Sequence, residues 1–428
     1  MARKEKIRMK LLWICNASIP TIAKAIGTDM PTGGGWIAGV ADALKTRGEH
    51  KIVLCFPYGD DSLFGEADGI TYYSYTKDDP SRYSKETEET FCRIIKKESP
   101  DVVHVWGTEF PHTLAAVNAC EREGLLDRCV IHVQGLVSII AEHYEAGLPR
   151  RAVKGYTLRD FLKRDNVIGQ KKMFVKRGEF ELEALRKARH VMGRTDWDEA
   201  CAKATNPDIN YHFCNESLRN EFYEGAWQLD KCEKHSIFVS QASYPVKGFH
   251  KMLMAMSEIV KRYPDAQLYT TGHDLIKNNS FMSRQRSTYY FAYIRELIKK
   301  YKLEEHVTFV GKLDAEGMKQ RYLSSHVFVS PSSIENSPNS LGEAMLLGVP
   351  SVSSDVGGVK NMMAHSLEGY AYPFDEAYMI AHYVCKIFED DSIAEKFSAN
   401  AREHARVTHD REKNLEALLG IYEKIKED

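Results

Sequence analysis

Long apolar runs are missing from this chain of 428 residues. No stretch approaches the roughly 20 apolar residues that a membrane-spanning helix needs, so we expect no such helix. Residues 1–6 are mostly charged and lack the apolar core of a secretion signal. We therefore expect a cytoplasmic protein.

Paired cysteines and a strong net charge are missing too. The nine cysteines are scattered, and several lie in apolar stretches, which indicates reduced core residues and neither disulfides nor a zinc site. Lysines and arginines nearly balance the acids, and the formal net charge of -2 gives no general attraction to nucleic acid. We expect no cofactor, no bound metal ion and no nucleic-acid partner.

Short apolar runs alternate with helical patterns, which predicts an α/β protein with parallel sheets covered on both faces. The predicted strands fall into two series, at 9–15, 51–56, 101–106 and 129–134, and at 236–240, 266–271, 306–310, 327–330 and 351–354. The chain is too long for one ordinary core. We predict a first domain at 1–215, a second at 216–408 and a C-terminal helix at 409–428.

Two glutamates, Glu335 and Glu343, lie on either side of a predicted helix start. Pro338 and the small polar residues after it are typical of a helix N-terminus, and Gly348 is typical of a helix end. The first N–H groups of such a helix have no intrahelical partner and can bind an anion. We therefore expect an anion site at the amides of Ser340, Leu341 and Gly342. Acids beside an anion need hydroxyl partners, so the arrangement favours a nucleotide sugar.

The run 334–350, followed by Gly357 and Gly358, resembles family 4 of the glycosyltransferases, which are retaining enzymes. The resemblance is strongest over 236–361. It implies the GT-B fold, in which two Rossmann-like parallel-sheet domains face a cleft and the C-terminal helix crosses back to the first domain. The second domain of that fold binds the nucleotide sugar, and the first binds the acceptor.

The same resemblance assigns roles to individual residues. Glu335 would touch the transferred sugar and Glu343 would hold the ribose. The amides between them, at Asn339, Ser340 and Leu341, would hold the diphosphate.

Three glycines after the first strand, Gly33, Gly34 and Gly35, open a predicted helix. Their missing side chains allow backbone to approach a phosphate at the helix N-terminus, although a flexible loop would have the same composition. In the family, a glycine pair at this place meets the donor phosphate from the opposite wall of the cleft.

Lys247 and Gly248 follow a strand of the second series and open a helix. A lysine there would supply a positive charge for the leaving diphosphate. The family has an arginine shortly before this lysine, where this chain has Ala242. Arg284 and Arg286 are weaker candidates for that charge, since solvated surface bases would look the same.

The acceptor side is indicated by residues at the ends of first-domain strands. Gln134 stands where the family has a histidine near the acceptor, and open α/β sheets bind ligands at this end of their strands. Glu109 follows another strand and is a candidate for acceptor binding or for a local base, with a surface acid as the alternative. His104 and His132 lie within strands, where packed histidines are common.

The segment 150–177 has ten lysines and arginines against two aspartates, a local balance of +8, with apolar residues between them. This pattern favours contact with an anionic membrane face or a lipid-linked acceptor, and a solvated helix pair is the alternative. We place the segment on the first domain. Asp196 and Asp198 have the spacing of a metal-binding pair, but helix capping explains them more simply.

Together these features predict a retaining glycosyltransferase that moves a hexose from a nucleoside-diphosphate sugar to a saccharide or lipid-linked acceptor, in polysaccharide or glycolipid assembly. Peripheral contact with the inner face of a membrane would run through 150–177. Two alternatives stay open from sequence: a non-catalytic nucleotide- or carbohydrate-binding relative, and a sugar-nucleotide epimerase of the same fold.

Overall fold

The structure is a computed structural model, and it describes residues 9–28, 35–77, 79–277 and 281–427. The chain divides into two compact units. The first unit contains 1–139, 174–219 and 410–428, and the second contains 140–173 and 220–409. In the described part of the chain, no helix is both long and apolar enough to cross a bilayer.

The strands of the two units are numbered along the chain. They are β1 (Met9–Ile14), β2 (His50–Tyr58), β3 (Phe64–Ala67), β4 (Ile70–Thr76), β5 (Val102–Trp106), β6 (Cys129–His132), β7 (His190–Gly193), β8 (Asn210–Phe213), β9 (Glu233–Val239), β10 (Gln267–Thr270), β11 (Val307–Phe309), β12 (Ser325–Ser330), β13 (Ser351–Ser354) and β14 (Tyr370–Tyr372).

The α-helices are numbered in the same way. They are α1 (Pro20–Ala25), α2 (Gly35–Arg47), α3 (Lys85–Glu98), α4 (His112–Arg122), α5 (Val137–His143), α6 (Arg150–Lys154), α7 (Leu158–Lys163), α8 (Val167–Lys187), α9 (Asp196–Thr205), α10 (Phe249–Arg262), α11 (Phe281–Arg286), α12 (Tyr289–Lys300), α13 (Ala315–Ser324), α14 (Asn339–Leu347), α15 (Val359–Met362), α16 (Ala377–Glu389), α17 (Asp391–Thr408) and α18 (Arg411–Glu427). Short 3₁₀ turns lie at Leu126–Arg128, Asn220–Tyr223 and Pro245–Lys247.

The sheet of the first unit has the strand order β3-β4-β2-β1-β5-β6-β7-β8, and only β3 is antiparallel to its neighbour. Successive residues of β1 pack on opposite faces, as the two-residue repeat of a strand requires. Leu12 and Ile14 belong to one buried core, and Leu11 and Trp13 to the other. Both faces are therefore covered, which confirms the predicted α/β architecture.

Helix α18 belongs to the core of the first unit, although its neighbours in the sequence belong to the second. Leu415, Leu418 and Tyr422 are buried in the same cluster as Trp13. The Tyr422 hydroxyl lies 2.5 Å from Nδ1 of His104 on β5. The predicted return of the C-terminal helix to the first domain is confirmed.

The sheet of the second unit is parallel throughout, in the order β11-β10-β9-β12-β13-β14. From β9 the chain adds β10 and β11 on one side and then returns to add β12, β13 and β14 on the other. The strand order therefore reverses between β9 and β12. In open α/β sheets, ligands bind outside the carboxyl ends of the strands at such a point.

The units differ from the predicted domains by a few residues at the boundaries and by one whole segment. Residues 140–173 belong to the second unit, although they lie within the predicted first domain at 1–215. Tyr144 packs there with its hydroxyl against Gln170, and Arg151 on α6 forms an ion pair with Glu296 on α12. The prediction that the basic segment 150–177 lies on the first domain is therefore wrong for 150–173.

Candidate functional site

Lys247 and Glu335 meet at the reversal point of the second sheet. Lys247 ends the turn that follows β9, and Glu335 lies in the loop that follows β12. The Lys247 Nζ donates a hydrogen bond to Glu335 Oε1 at 2.6 Å, so the pair is also an ion pair. The two residues are 88 positions apart in the sequence, and the parallel sheet brings them together.

Close backbone packing around Gly248 holds this pair in place. Gly248 has φ +66°, and a Cβ atom there would lie 1.7 Å from the carbonyl oxygen of Pro331. The Ser333 N–H donates to the carbonyl of Val246 at 2.7 Å. The turn carrying Lys247 and the loop carrying Glu335 are therefore joined along their backbones, and only glycine fits at their contact.

A second glycine contact lies on the other side of Glu335. The N–H of Gly358 donates to the Glu335 carbonyl at 3.1 Å, and a Cβ on Gly357 would lie 1.9 Å from the same oxygen. The Glu335 carboxylate also accepts a hydrogen bond from the Ser332 hydroxyl at 2.6 Å. Backbone and side chain of Glu335 are both fixed before any ligand arrives.

The electrostatics of the pair favour a charged lysine. Burial is the largest single effect and acts to lower the pKa of Lys247, but the charge and hydrogen bond of Glu335, together with Tyr244, outweigh burial and raise the pKa above its ordinary value. Lys247 therefore carries its positive charge at neutral pH. A diphosphate arriving at this point would compete with Glu335 for that charge.

Helix α14 begins as predicted at Asn339, and Gly348 ends it with φ +80°. Its amides differ from the expectation. The N–H groups of Leu341 and Gly342 already donate to the carbonyl of Pro338, at 3.0 and 3.2 Å. They are not vacant anion donors in this conformation, because the first carbonyl of the turn satisfies them.

Glu343 lies one turn into α14 and is only 5% exposed. The Tyr322 hydroxyl lies 3.5 Å from Glu343 Oε2 and donates to the Ser340 carbonyl at 3.0 Å. Tyr322 thus connects the buried carboxylate to the start of the helix. A role of Glu343 in ribose binding stays a prediction.

Asn336, next to Glu335, is a polar residue that the sequence analysis did not select. Its side chain is 8% exposed, and neither its amide nitrogen nor its amide oxygen has a hydrogen-bond partner among the described residues. Leaving a buried amide unsatisfied costs free energy, so the position of Asn336 next to Glu335 makes it a candidate binding residue. No spacing pattern marks it, since asparagines are common in loops.

In the first unit, Gln134 lies just beyond β6 and donates a hydrogen bond to Oε1 of Glu216. Glu216 Oε2 lies 3.3 Å from Nη1 of Arg194, and its Oε1 lies 3.2 Å from Nε2 of His132. Burial lowers the pKa of His132 to about 4, although Glu216 acts against this, so the imidazole is neutral. Sequence reasoning missed Arg194 and Glu216, because only the fold brings them to Gln134.

Glu109 follows β5 and folds back over Gly107, which has φ +93°. Burial of the carboxyl group, together with the nearby Glu181, raises the pKa of Glu109 to about 7, although Arg177 acts against this. Its Oε2 atom is buried and has no hydrogen-bond partner among the described residues. A carboxyl group with this pKa can donate or accept a proton near neutrality.

A cavity of about 180 Å³ lies beside Glu109, at the carboxyl ends of β1, β2 and β4. Tyr75, His112 and Phe110 form an aromatic wall, with ring centroids 5.7 Å apart for the first two and 6.1 Å for the last two. Asn16 and Lys77 contribute polar groups to its lining. A small molecule with both apolar and polar faces fits in this cavity of the first unit.

The other predicted residues lie at or near the starts of helices, or outside the described part of the chain. Gly33 and Gly34 lie outside the described residues, and Gly35 begins α2. Asp198 accepts hydrogen bonds from the N–H groups of Arg194 and Thr195, and with Thr195 it forms a capping box at the start of α9. Capping thus accounts for Asp198, and Asp196 is the first residue of α9. Among the described residues, no group of three or more His, Cys, Asp or Glu side chains could hold a metal ion.

Comparison with known proteins matches residues 220–404 to the family described as "Glycosyl transferases group 1". The putative glycosyltransferase YtcC of Bacillus subtilis is 27% identical over 175 residues, which are 40% of this chain and 40% of YtcC. The match therefore spans less than half the length of that relative.

Solved structures resemble the chain over nearly its whole length. Sucrose-phosphate synthase from Thermosynechococcus elongatus has a TM-score of 0.70 and 17% identity, covering 98% of this chain and 99% of its own. Anabaena HepE in complex with UDP and glucose has a TM-score of 0.65 and 15% identity, covering 97% and 100%. The fold is therefore GT-B, and residues 220–404 are similar to the glycosyl transferases group 1.

Proposed function

We propose that this protein is a retaining glycosyltransferase that moves a hexose from a nucleoside-diphosphate sugar to a saccharide or lipid-linked acceptor. The observation that carries the proposal is the Lys247–Glu335 pair at the reversal point of the second sheet, within the matched region. A preformed cation beside a fixed carboxylate suits a ligand with both phosphates and hydroxyls.

The donor would bind to the second unit. Lys247 neutralises charge on the departing diphosphate, and the N-terminus of α14, at Asn339, Ser340 and Leu341, adds the positive end of its dipole. For the Leu341 amide to contribute a hydrogen bond, it must leave Pro338. Gly248 would contribute indirectly, because its packing on Pro331 holds the Lys247 turn in place.

Glu335 would orient hydroxyls of the transferred sugar and release Lys247 to the diphosphate. The bond from the anomeric carbon to the diphosphate oxygen breaks, and positive charge builds on the sugar ring. The acceptor hydroxyl then forms the new bond on the face that the diphosphate leaves, and a phosphate oxygen takes its proton. Configuration is retained, and no metal ion is needed for these steps.

The acceptor would bind to the first unit at Gln134 and Glu109. Because a carboxylate only accepts hydrogen bonds, Glu216 fixes the Gln134 amide with its nitrogen inward. The amide oxygen of Gln134 is then left to accept from an acceptor hydroxyl. The aromatic cavity beside Glu109 would hold a neighbouring sugar of the same acceptor. Gly33, Gly34 and Gly35 would approach the donor phosphates.

Release of nucleotide tests the proposal. The wild type should release UDP, GDP or ADP from one sugar nucleotide of a panel, faster when an oligosaccharide acceptor is present, and NMR should show a product with the donor's anomeric configuration. Lys247→Ala should lower kcat/KM at least 100-fold. Lys261→Ala, at the far end of α10 where Lys261 pairs with Glu258, is the matched control and should have little effect.

The alternatives give different results in the same assay. An epimerase would convert the donor to a stereoisomer without any acceptor. A binding relative would bind the nucleotide and leave every donor intact. An inverted product would contradict the retaining assignment while leaving the glycosyltransferase assignment in place.

A further inference from the structure

Large apolar side chains are exposed together on α7, just before it and on the helix beside it. Tyr156, Leu158, Phe161 and Leu162 are 62%, 58%, 68% and 72% exposed, and Met282 on the neighbouring α11 is 57% exposed. We call these five residues the α7 surface. They lie on the second unit, and contiguous exposed apolar side chains of this kind mark an interaction site.

The polarity of α7 is reversed relative to an ordinary surface helix. Asp160 is 2% exposed, while the next two residues are the most exposed of the α7 surface. Its carboxylate accepts hydrogen bonds from the N–H of Tyr289 at 2.7 Å and of Thr157 at 3.2 Å. A polar residue therefore anchors the helix inward, and the apolar residues point to solvent.

Tight packing fixes this orientation. Thr157 and Asp160 form a capping box, and the Thr157 hydroxyl donates to the Ser287 carbonyl at 2.7 Å. The Leu158 N–H donates to Gln285 at 3.1 Å. A Cβ on Gly155 would lie 2.2 Å from the ring of Tyr289. The α7 surface is thus presented by a well-anchored helix.

Exposed bases flank the α7 surface in the sequence and on α11. Its flanking bases, none of which forms an ion pair with the residues that the structure describes, are Arg150, Lys154, Lys163, Arg164 and Arg286. The nearby acids are already engaged: Asp165 pairs with Arg159 at 2.7 Å, and Glu296 pairs with Arg151 at 2.6 Å. The flank therefore keeps an uncompensated positive charge.

We propose that the α7 surface inserts into the headgroup region of an anionic lipid bilayer and anchors the protein peripherally. Apolar side chains ringed by bases match the two layers of such a surface, acyl chains inside and anionic headgroups outside. A second copy of this chain would bring like charges together. The anchor is a separate function from sugar transfer and does not depend on the donor chemistry.

Sedimentation with liposomes tests the anchor. The wild type should bind vesicles of phosphatidylcholine with one quarter phosphatidylglycerol, and bind vesicles of phosphatidylcholine alone far less. Phe161→Ser with Leu162→Gln should lower the partition coefficient at least tenfold at both 0.1 and 0.5 M salt. Lys163→Gln with Arg164→Gln should lower it strongly at 0.1 M salt and little at 0.5 M, because salt screens charges and leaves apolar contacts intact.

Tyr378→Ser with Val407→Gln is the matched control. These residues of the second unit are 63% and 62% exposed, and the double variant should bind vesicles like the wild type. The proposal is overturned if the wild type ignores anionic vesicles, if the Phe161 and Leu162 changes leave binding intact, or if ultracentrifugation shows that they abolish a dimer. Nucleotide binding is measured in parallel, so that failure of the donor site is seen separately.

Discussion

At the residue scale, the most consequential feature is that Lys247 already has a partner. Glu335 holds the ammonium group at 2.6 Å and keeps it charged. The pair thus preserves a cation in a partly buried place, where a lone lysine would tend to lose its proton. In the function we propose, a diphosphate would exchange one anion for another at Lys247, and the freed Glu335 would turn to sugar hydroxyls.

This exchange predicts different effects at the two glutamates. Glu335→Ala should leave UDP affinity within about threefold, because it removes a competitor for Lys247, and should lower kcat about 100-fold, because sugar contacts are felt in the transition state. Glu343→Ala should weaken UDP binding at least tenfold. Isothermal titration and initial rates measure both, with Tyr322→Phe as the control for the Glu343–Tyr322 contact. Equal losses of affinity would contradict the assignment.

The raised pKa of Glu109 predicts a pH dependence of stability. Between its ordinary value of 4.5 and about 7, the folded state keeps a proton that the unfolded state has lost. Stability from this group is therefore greatest below pH 4.5, falls as pH rises to 7, and is constant above. As pH rises over this range, the free energy of unfolding of the wild type should fall by about 3 kcal/mol relative to that of Glu109→Gln. Urea unfolding at pH 5, 6, 7 and 8 measures it, and a constant difference would contradict the shift.

The limits of sequence reasoning are visible at single residues. Glu335, Glu343 and Gly348 stand in one continuous run, so the helix-start pattern and the resemblance to family 4 located them. Arg194 and Glu216 reach Gln134 only because β6, β7 and β8 are neighbours in the sheet. Neither follows a motif, and their pairing depends on tertiary structure.

At the scale of elements, the loops that follow β9 and β12 are joined to each other along their backbones. Short apolar runs predicted the strands that Lys247 and Glu335 follow. The backbone bond from Ser333 to Val246, and the packing of Gly248 on Pro331, could not be predicted, since they depend on how the two loops fold together. The same holds for Pro338, whose carbonyl accepts hydrogen bonds from the amides of Leu341 and Gly342 that were expected to be vacant.

Gly248→Ala tests this joint. Alanine is strained at φ +66°, and its Cβ would lie 1.7 Å from a backbone oxygen that cannot move without shifting the loop of Glu335. We expect the free energy of unfolding to fall by about 2 kcal/mol or more, and nucleotide affinity to fall as well. Gly272→Ala also has positive φ, but its Cβ meets nothing within 4 Å. Gly272→Ala therefore measures backbone strain without a clash. Equal effects of the two substitutions would show that the contact between Gly248 and Pro331 does not matter.

Helix α18 should stabilise the first unit specifically. Leu418 is 3% exposed and lies in the core that contains Trp13. Leu418→Ala should destabilise that core by about 2–5 kcal/mol. Hydrogen exchange should therefore accelerate at the amides of β1 and β5 and stay unchanged at β9 and β12. Leu367→Ala, at a position that is 50% exposed, is the control; uniform acceleration across both sheets would show that the two units unfold together.

At the scale of the whole molecule, sequence alternation was enough for the α/β class of fold, and the resemblance to family 4 implied the return of the C-terminal helix. It failed for 140–173, which interrupt the first unit and belong to the second. Periodicity shows that α6 and α7 are helices, but not which unit they pack on. That choice rests on specific contacts such as Asp160 with Tyr289 and Arg151 with Glu296.

The division into two units predicts how a nucleotide acts on the whole protein. If UDP binds the second unit through Lys247 and the start of α14, saturating it at 100 times the Kd should stabilise that unit by about 2.7 kcal/mol. Because helix dipole and lysine supply the positive charge, EDTA should leave this stabilisation and the transfer rate unchanged. Calorimetry with UDP, with and without EDTA, measures it, and Lys247→Ala should abolish the shift where Lys261→Ala keeps it. Loss of the shift in EDTA, restored by magnesium or manganese, would require metal ligands and return attention to Asp196 and Asp198.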